Sequence, residues 1–217
     1  MKLLRNGRKF IAKNACSEEP VTKAVITSRQ YEAVVIGVSA GGLTALHALF
    51  AKLGRRFPLP VLIVQHISPT FESRLPMLLS QYCEGTVKEA EDKDEICAGG
   101  IYIAPPNYHL LVEPEKSIAL SLEERVNYSR PSIDVLFETA SEAYGEGLIG
   151  VILTGANSDG AVGLSYIKKR CGLTIVQAPE SAEFDAMPKA AIATANPDFV
   201  LPLDEIGSFL NLLGNRG

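Results

Sequence analysis

Four short, uninterrupted apolar runs constrain this chain more than any other feature. Ala33-Val34-Val35-Ile36 ends in Gly37, and Val61-Leu62-Ile63-Val64 ends in Gln65-His66. Leu148-Ile149-Gly150-Val151-Ile152-Leu153 ends in Thr154-Gly155, and Leu173-Thr174-Ile175-Val176 ends in Gln177. A strand with one wetted face alternates apolar and polar residues. Unbroken β-branched runs suit strands covered on both faces, as in a parallel sheet between helices. Helical stripes separate the runs. Ile133, Leu136, Phe137 and Ala140 fall at i, i+3, i+4 and i+7 behind Arg130-Pro131, where proline suits a first helical turn. Phe71, Leu75, Leu78, Leu79 and Tyr82 form a second stripe, which Pro76 should kink or shorten. Asp204 is placed to cap a last helix with Ile206, Phe209, Leu210 and Leu213 on its apolar face. The middle of the chain reads differently. Gly99 to Pro106, His109 to Val112 and Ile118 to Leu122 look like short strands joined by turns, an antiparallel flap beside the main sheet. The expectation is an α/β fold: a doubly wound, mostly parallel sheet with a small antiparallel flap.

Length and composition bound the possibilities. A chain of 217 residues, 47% of them hydrophobic, can bury a real core in one domain. A formal charge of −4 argues against general nucleic-acid binding. No apolar run approaches the roughly 18–20 residues needed to cross a bilayer, so membrane insertion is not expected. The basic N-terminus lacks the apolar stretch of a secretory signal. Cys16, Cys83, Cys97 and Cys171 include no C-x-x-C pair, which excludes the common zinc and thioredoxin-like motifs and fits a reducing cytoplasm. Residues 1–30 hold seven Lys/Arg and two Glu, a local charge of +5 that leaves −9 for the remainder. They read as a basic tail, either flexible or a docking arm for an acidic partner, with the folded domain at 31–217.

In open α/β sheets the ligand site lies beyond the carboxyl ends of the strands. Three such ends carry Ser39, His66 and Asp159: a hydroxyl nucleophile, a base near neutrality and a carboxylate to orient that base. Ser39 sits in a G-x-S-x-G context, Gly37-Val38-Ser39-Ala40-Gly41, which permits a tight strand-to-helix turn. The N–H groups of the helix that follows could hold an oxyanion. The same turn also suits phosphate binding, so a non-catalytic module holding a phosphorylated ligand or a signalling partner competes with a hydrolase. Dinucleotide binding is disfavoured, because Gln65 and His66 stand where a ribose-binding acid belongs. His66 could equally be a structural residue, and Asp159 could serve only its own turn. His47 lies inside a helix as a surface or core side chain, and His109 opens a flap strand and is not expected to touch substrate. The order Ser, His, Asp differs from the Ser, acid, His of the α/β-hydrolases, so this is another sheet reaching a similar constellation.

Read together, these segments resemble the catalytic domain of the bacterial chemotaxis protein-glutamate methylesterases, the CheB family. The resemblance runs from about Ala33 to Leu210. It is carried by Ile36-Gly37-Val38-Ser39-Ala40-Gly41-Gly42, Val64-Gln65-His66-Ile67, Ile101-Tyr102-Ile103-Ala104-Pro105-Pro106 and Arg130-Pro131-Ser132-Ile133-Asp134. Leu153-Thr154-Gly155, Ser158-Asp159-Gly160-Ala161, Gln177 and Met187-Pro188 continue it. It implies a Rossmann-like sheet, with nucleophile, base and acid on Ser39, His66 and Asp159. It also implies hydrolysis of glutamate methyl esters on chemoreceptor cytoplasmic helices, deamidation of selected receptor glutamines, and no metal or cofactor. Backbone N–H groups near Ala40, and near Ala156-Asn157, would hold the oxyanion. Arg130 would contact acidic receptor surface or serve as a surface charge, and Met187 would wall the pocket or simply pack. Two departures stand out. The family pattern Thr-Gly-Met-Gly-x-Asp becomes Thr154-Gly155-Ala156-Asn157-Ser158-Asp159. Only the basic tail stands where a receiver domain usually precedes the esterase, and about 30 residues cannot fold one. Regulation by phosphorylation would then need a separate receiver protein. A related esterase with a substrate outside chemotaxis is the remaining alternative.

Overall fold

The computed structural model describes residues 12–13, 20–21, 29–66 and 74–215. Seven strands form one sheet: β1 (Ala33–Val38), β2 (Val61–Gln65), β3 (Val87–Glu89), β4 (Ile101–Ile103), β7 (Leu148–Ile152), β8 (Leu173–Gln177) and β9 (Phe199–Leu201). Between β4 and β7 in the chain, β5 (His109–Val112) and β6 (Ile118–Ser121) pair with each other, antiparallel. The helices are α1 (Gly42–Leu53), α2 (Leu75–Ser80), α3 (Ile133–Tyr144), α4 (Ala161–Lys169), α5 (Ala186–Ala195) and α6 (Leu203–Gly214). Spatial order across the sheet is β9-β8-β7-β1-β2-β4-β3, and every pairing is parallel. In the N-terminal thirty residues, Ala12–Lys13 pairs antiparallel with Pro20–Val21; most of the expected basic tail lies outside the described residues.

The unbroken apolar runs have the predicted cause. Every residue of β1, β2, β7 and β8 is buried. Successive side chains feed opposite layers, as a period of two requires. Val34, Ile36 and Val38 join Leu46, Leu49, Phe50, Ile206 and Leu210 in a core beneath α1 and α6. Ala33 and Val35 join Leu136, Phe137, Leu164, Met187 and the flap residues Leu110, Val112 and Ile118 on the other face, under α3, α4 and α5. Full burial of one such aliphatic side chain contributes about 1.5–3 kcal/mol, so the two layers together hold the sheet.

Three secondary-structure expectations change, while the shortening expected of the helix that holds Pro76 is borne out. Ile101–Ile103 belongs to the main sheet, between β2 and β3, because all three residues are buried there; only β5 and β6 form the flap. Helix α3 starts at Ile133 with Ser132 as N-cap, so Pro131 precedes the helix. Helix α2 is short, with Pro76 in its first turn, and Phe71 lies outside the described residues. Pro202 precedes α6 as N-cap, leaving Asp204 and Glu205 in the first turn, where acidic groups complement the free N–H ends. Cys83 and Cys97 carry free thiols, whereas Cys171 is disulfide-bonded, which departs from the reading of single cysteines; Cys16 lies outside the described residues.

β1 neighbours β2 on one side and β7 on the other, while α1 and α4 leave these strands on opposite faces. That is the switch point where a crevice opens at the carboxyl edge of a doubly wound sheet. The start of α3 is held there by close packing. A Cβ on Gly37 would lie 2.3 Å from Ile133 Cγ2, and one on Gly160 would lie 2.5 Å from the same atom. Gly37→Ala should therefore lower stability by about 1–3 kcal/mol through overpacking, read as a fall in the urea midpoint at unchanged slope. An unchanged midpoint would show that Ile133 moves aside freely.

Candidate active site

The chain leaves β1 through Ser39 and Ala40, and Gly41 takes φ +75° as the N-cap of α1. That conformation favours glycine, and the space beside Gly41 is tight: a Cβ there would meet Glu183 and the Thr154 hydroxyl. The Ser39 turn is braced on several sides. Ser39 N–H donates to the Thr154 carbonyl at 3.0 Å. The Ser39 carbonyl accepts from Gly42 N–H and from Gln65 Nε2, each at 2.9 Å. Thr154 Oγ1 donates to the Ala40 carbonyl at 2.9 Å and accepts Phe184 N–H at 2.9 Å. Gln177 Oε1 in turn accepts Thr154 N–H at 2.8 Å. The N–H of Ala40 makes no hydrogen bond among the described residues, nor do those of Ala156 and Asn157.

His66 follows β2 directly. Its Nδ1 lies 3.2 Å from Ser39 Oγ, and its Nε2 lies 2.9 Å from Asp159 Oδ2. Asp159 ends the turn after β7, just before α4, and is wholly buried. Its carboxylate gathers five donors. Oδ2 accepts His66 Nε2 and Ile133 N–H (2.7 Å); Oδ1 accepts the Ser132 hydroxyl (2.9 Å), Asp134 N–H (3.2 Å) and Asn127 Nδ2 (3.2 Å). Burial pushes its pKa up, but the hydrogen bonds and charge of His66 and the N–H groups of Ile133 and Asp134 outweigh it, so the net shift is downward. An ionised carboxylate only accepts, so Nε2 carries the imidazole proton and the Nδ1 lone pair faces Ser39 Oγ. Asp134 shows the opposite balance. Burial, reinforced by the charge of Asp159, raises its pKa against the lowering effect of the Gly163 N–H.

The remaining candidates sort by position. Asn157 is exposed and faces His66, with Nδ2 3.4 Å from Nδ1. Arg130 is engaged by the chain itself: Nη1 donates to the carbonyls of Leu122 (2.6 Å) and Glu123 (2.9 Å), closing the loop between flap and α3. Met187 is fully buried and packs on Gly155, where a Cβ would lie 2.7 Å from its Cε; its N–H donates to the Gly155 carbonyl. His109 is buried between the loop and α3, with Nδ1 accepting Ser132 N–H (3.2 Å) and Nε2 donating to the Glu124 carbonyl (3.0 Å). His47 pairs with the Tyr82 hydroxyl on the exposed side of α1. Ser132, Asn127 and Thr154 hold Asp159 and the Ser39 turn in place, and none of them stands out in the sequence as a site residue. The sequence signal for Ser132 is its place at a helix start, where a serine commonly caps free N–H groups; in the structure its hydroxyl donates to Asp159 instead of capping α3.

A doubly wound sheet that brings serine, histidine and a buried carboxylate together at its switch point has the geometry of a serine-hydrolase site. The comparisons with known proteins agree in class. The family model for CheB methylesterase matches residues 34–210. A relative from Leptospira interrogans, named as a candidate protein-glutamate methylesterase/protein-glutamine glutaminase, is 54% identical over 187 residues, 86% of this chain and 97% of its own length. The protein-glutamate methylesterase/protein-glutamine glutaminase of Archaeoglobus fulgidus is 39% identical, over 80% of this chain and 50% of that protein. The crystal structure of the Thermotoga maritima CheB methylesterase catalytic domain matches with TM-score 0.80 and 36% identity, over 85% of this chain and all of that one. This chain belongs to the CheB methylesterase family.

The depressed pKa of Asp159 makes its contribution to stability pH-dependent. A carboxylate whose folded pKa lies below its unfolded value stabilises above the ordinary range near about 4, and the contribution is lost as pH falls through the folded pKa. Asp159→Asn should lower the urea midpoint at pH 7 by the equivalent of about 1–3 kcal/mol. The gap between variant and wild type should narrow below about pH 4 as the wild-type carboxylate protonates. A gap independent of pH would show that the charge of Asp159 is not what holds α3.

Proposed function

We propose that this chain hydrolyses methyl esters of glutamate side chains on the cytoplasmic helices of methyl-accepting chemoreceptors, leaving a free glutamate side chain on the receptor and releasing methanol, and that it also deamidates selected receptor glutamines. The observation that carries the reading is the unbroken chain from Ser39 Oγ through His66 to buried Asp159. Residues 31–217 are the catalytic unit in this reading, with the basic segment 1–30 outside it. In this reading the protein acts in the cytoplasm, where the receptor helices that are its substrate lie. Among the described residues no helix is long and apolar enough to cross a membrane.

The mechanism follows from the hydrogen bonds. His66 Nδ1 takes the Ser39 proton as Oγ attacks the ester carbonyl, and Asp159 fixes the Nε2–H tautomer and stabilises the imidazolium. The unpaired N–H of Ala40, at the opening of α1, faces the developing oxyanion, with the N–H groups of Ala156 and Asn157 across the crevice. His66 then returns the proton to the methoxy oxygen, methanol leaves, and water attacks the acyl-enzyme through the same base. Thr154 and Gln65 hold the Ser39 turn still, so the oxyanion donors need not reorganise. Arg130 and Met187 support the walls by closing a loop and filling the space behind Gly155, rather than by touching substrate.

Methanol release from a methylated chemoreceptor cytoplasmic fragment tests this directly. Wild type should release methanol, and Ser39→Ala should reduce the rate by about 10⁴-fold or more while folding normally. Equal release by the variant would remove Ser39 from the chemistry.

A further inference from the structure

The turn after β7 places a side-chain amide beside the candidate base. Asn157 Oδ1 accepts the backbone N–H of Asp159 at 3.2 Å. That bond decides which end of the amide faces where: the acceptor is turned into the loop, so the donor Nδ2 points outward, 3.4 Å from His66 Nδ1. Ser39 Oγ lies 3.2 Å from the same nitrogen. The side chain is exposed, so an incoming substrate reaches it. A glycine at this place, as in Thr-Gly-Met-Gly-x-Asp, offers no such donor.

We infer that Asn157 Nδ2 lines the leaving-group subsite and biases this chain toward methyl esters over primary amides. The inference rests on the esterase reading. In the tetrahedral intermediate the Ser39 Oγ–carbon bond has formed and the Ser39 proton sits on His66 Nδ1. Whatever leaves takes that proton, so the leaving atom must come within hydrogen-bond reach of Nδ1 and therefore close to Asn157 Nδ2. With a methyl ester the carbon–oxygen bond to methoxy breaks, and the oxygen leaves with the His66 proton as methanol. That oxygen carries two lone pairs: one takes the proton and the other accepts Nδ2–H. With a primary amide the carbon–nitrogen bond breaks and ammonia leaves. The tetrahedral nitrogen has a single lone pair, which the His66 proton occupies, and it turns its own N–H bonds toward another donor. A donor facing a donor leaves polar groups unpaired, the kind of mismatch by which enzymes discriminate between isosteric substrates. In both cases water then attacks the acyl-enzyme, gives its proton to His66, and Ser39 Oγ leaves with that proton, restoring the site.

Two substitutions separate the donor from the turn. Asn157→Asp keeps an oxygen to accept Asp159 N–H but removes the donor toward His66; Asn157→Ala removes both. Methanol and ammonia release are measured on one receptor cytoplasmic fragment carrying either a glutamate methyl ester or a glutamine at the same position. The ratio of kcat/KM for ester over amide should fall about tenfold in both variants, the size of one neutral hydrogen bond. Two substrates declining in parallel, with the ratio unchanged, would reduce Asn157 to a structural member of the turn and overturn the inference while leaving the esterase intact. No release from either substrate by wild type would overturn the esterase reading, and this inference with it.

Discussion

The carboxylate of Asp159 caps a helix that begins 26 residues before it, and the rest of the site depends on that contact. Helix α3 opens with N–H groups that have no intrahelical partner, and Ser132, its N-cap residue, offers no side-chain acceptor to them. Asp159 supplies the missing acceptor from across the crevice. Burying a lone carboxylate is costly, and here five donors offset that cost. The outcome is an anion that stays ionised in a dry place and has one direction left in which to act, toward His66. Because His109 accepts the N–H of Ser132, the flap region is fastened to the same helix start.

Two glycines and one isoleucine give this contact its position. Ile133 lies against Gly37 at the end of β1 and Gly160 at the start of α4, so the helix start cannot drift from either strand end that carries a polar group of the site. On the other side of the crevice, Thr154 links three segments through one hydroxyl: its own strand end, the Ala40 carbonyl and the Phe184 backbone. Rigid packing on one side and a saturated hydroxyl on the other hold this rim, where the N–H groups of Ala40, Ala156 and Asn157 make no hydrogen bond among the described residues.

Much of this was legible in the sequence, for physical reasons that differ by element. The central strands announced themselves because burial on both faces forces apolar residues at every position, and the strand-end rule then led to Ser39, His66 and Asp159. Strand β3 gave no such signal: Val87-Lys88-Glu89 sits at the sheet edge, half-buried, and needs no apolar run. Ile101–Ile103 misled because three residues between glycines and prolines look alike in a flap and in a sheet; its partner strands, distant in sequence, decide the matter. His109 could be placed on a flap strand but its role could not, since the Ser132 and Glu124 backbone groups that engage it are brought there by the tertiary fold alone. Likewise nothing local in Asn157 reveals its neighbour His66, which lies 91 residues away.

In the proposed mechanism His66, held by Asp159, makes Ser39 a nucleophile. Reaction with a fluorophosphonate probe, followed by mass spectrometry of the digested protein, tests it without assuming a substrate. One phosphonyl adduct is expected, on the peptide containing Ser39, formed rapidly by wild type and at least about a hundredfold more slowly by His66→Ala. An adduct on another serine, or labelling of Ser39 at the same rate without the imidazole, would contradict it.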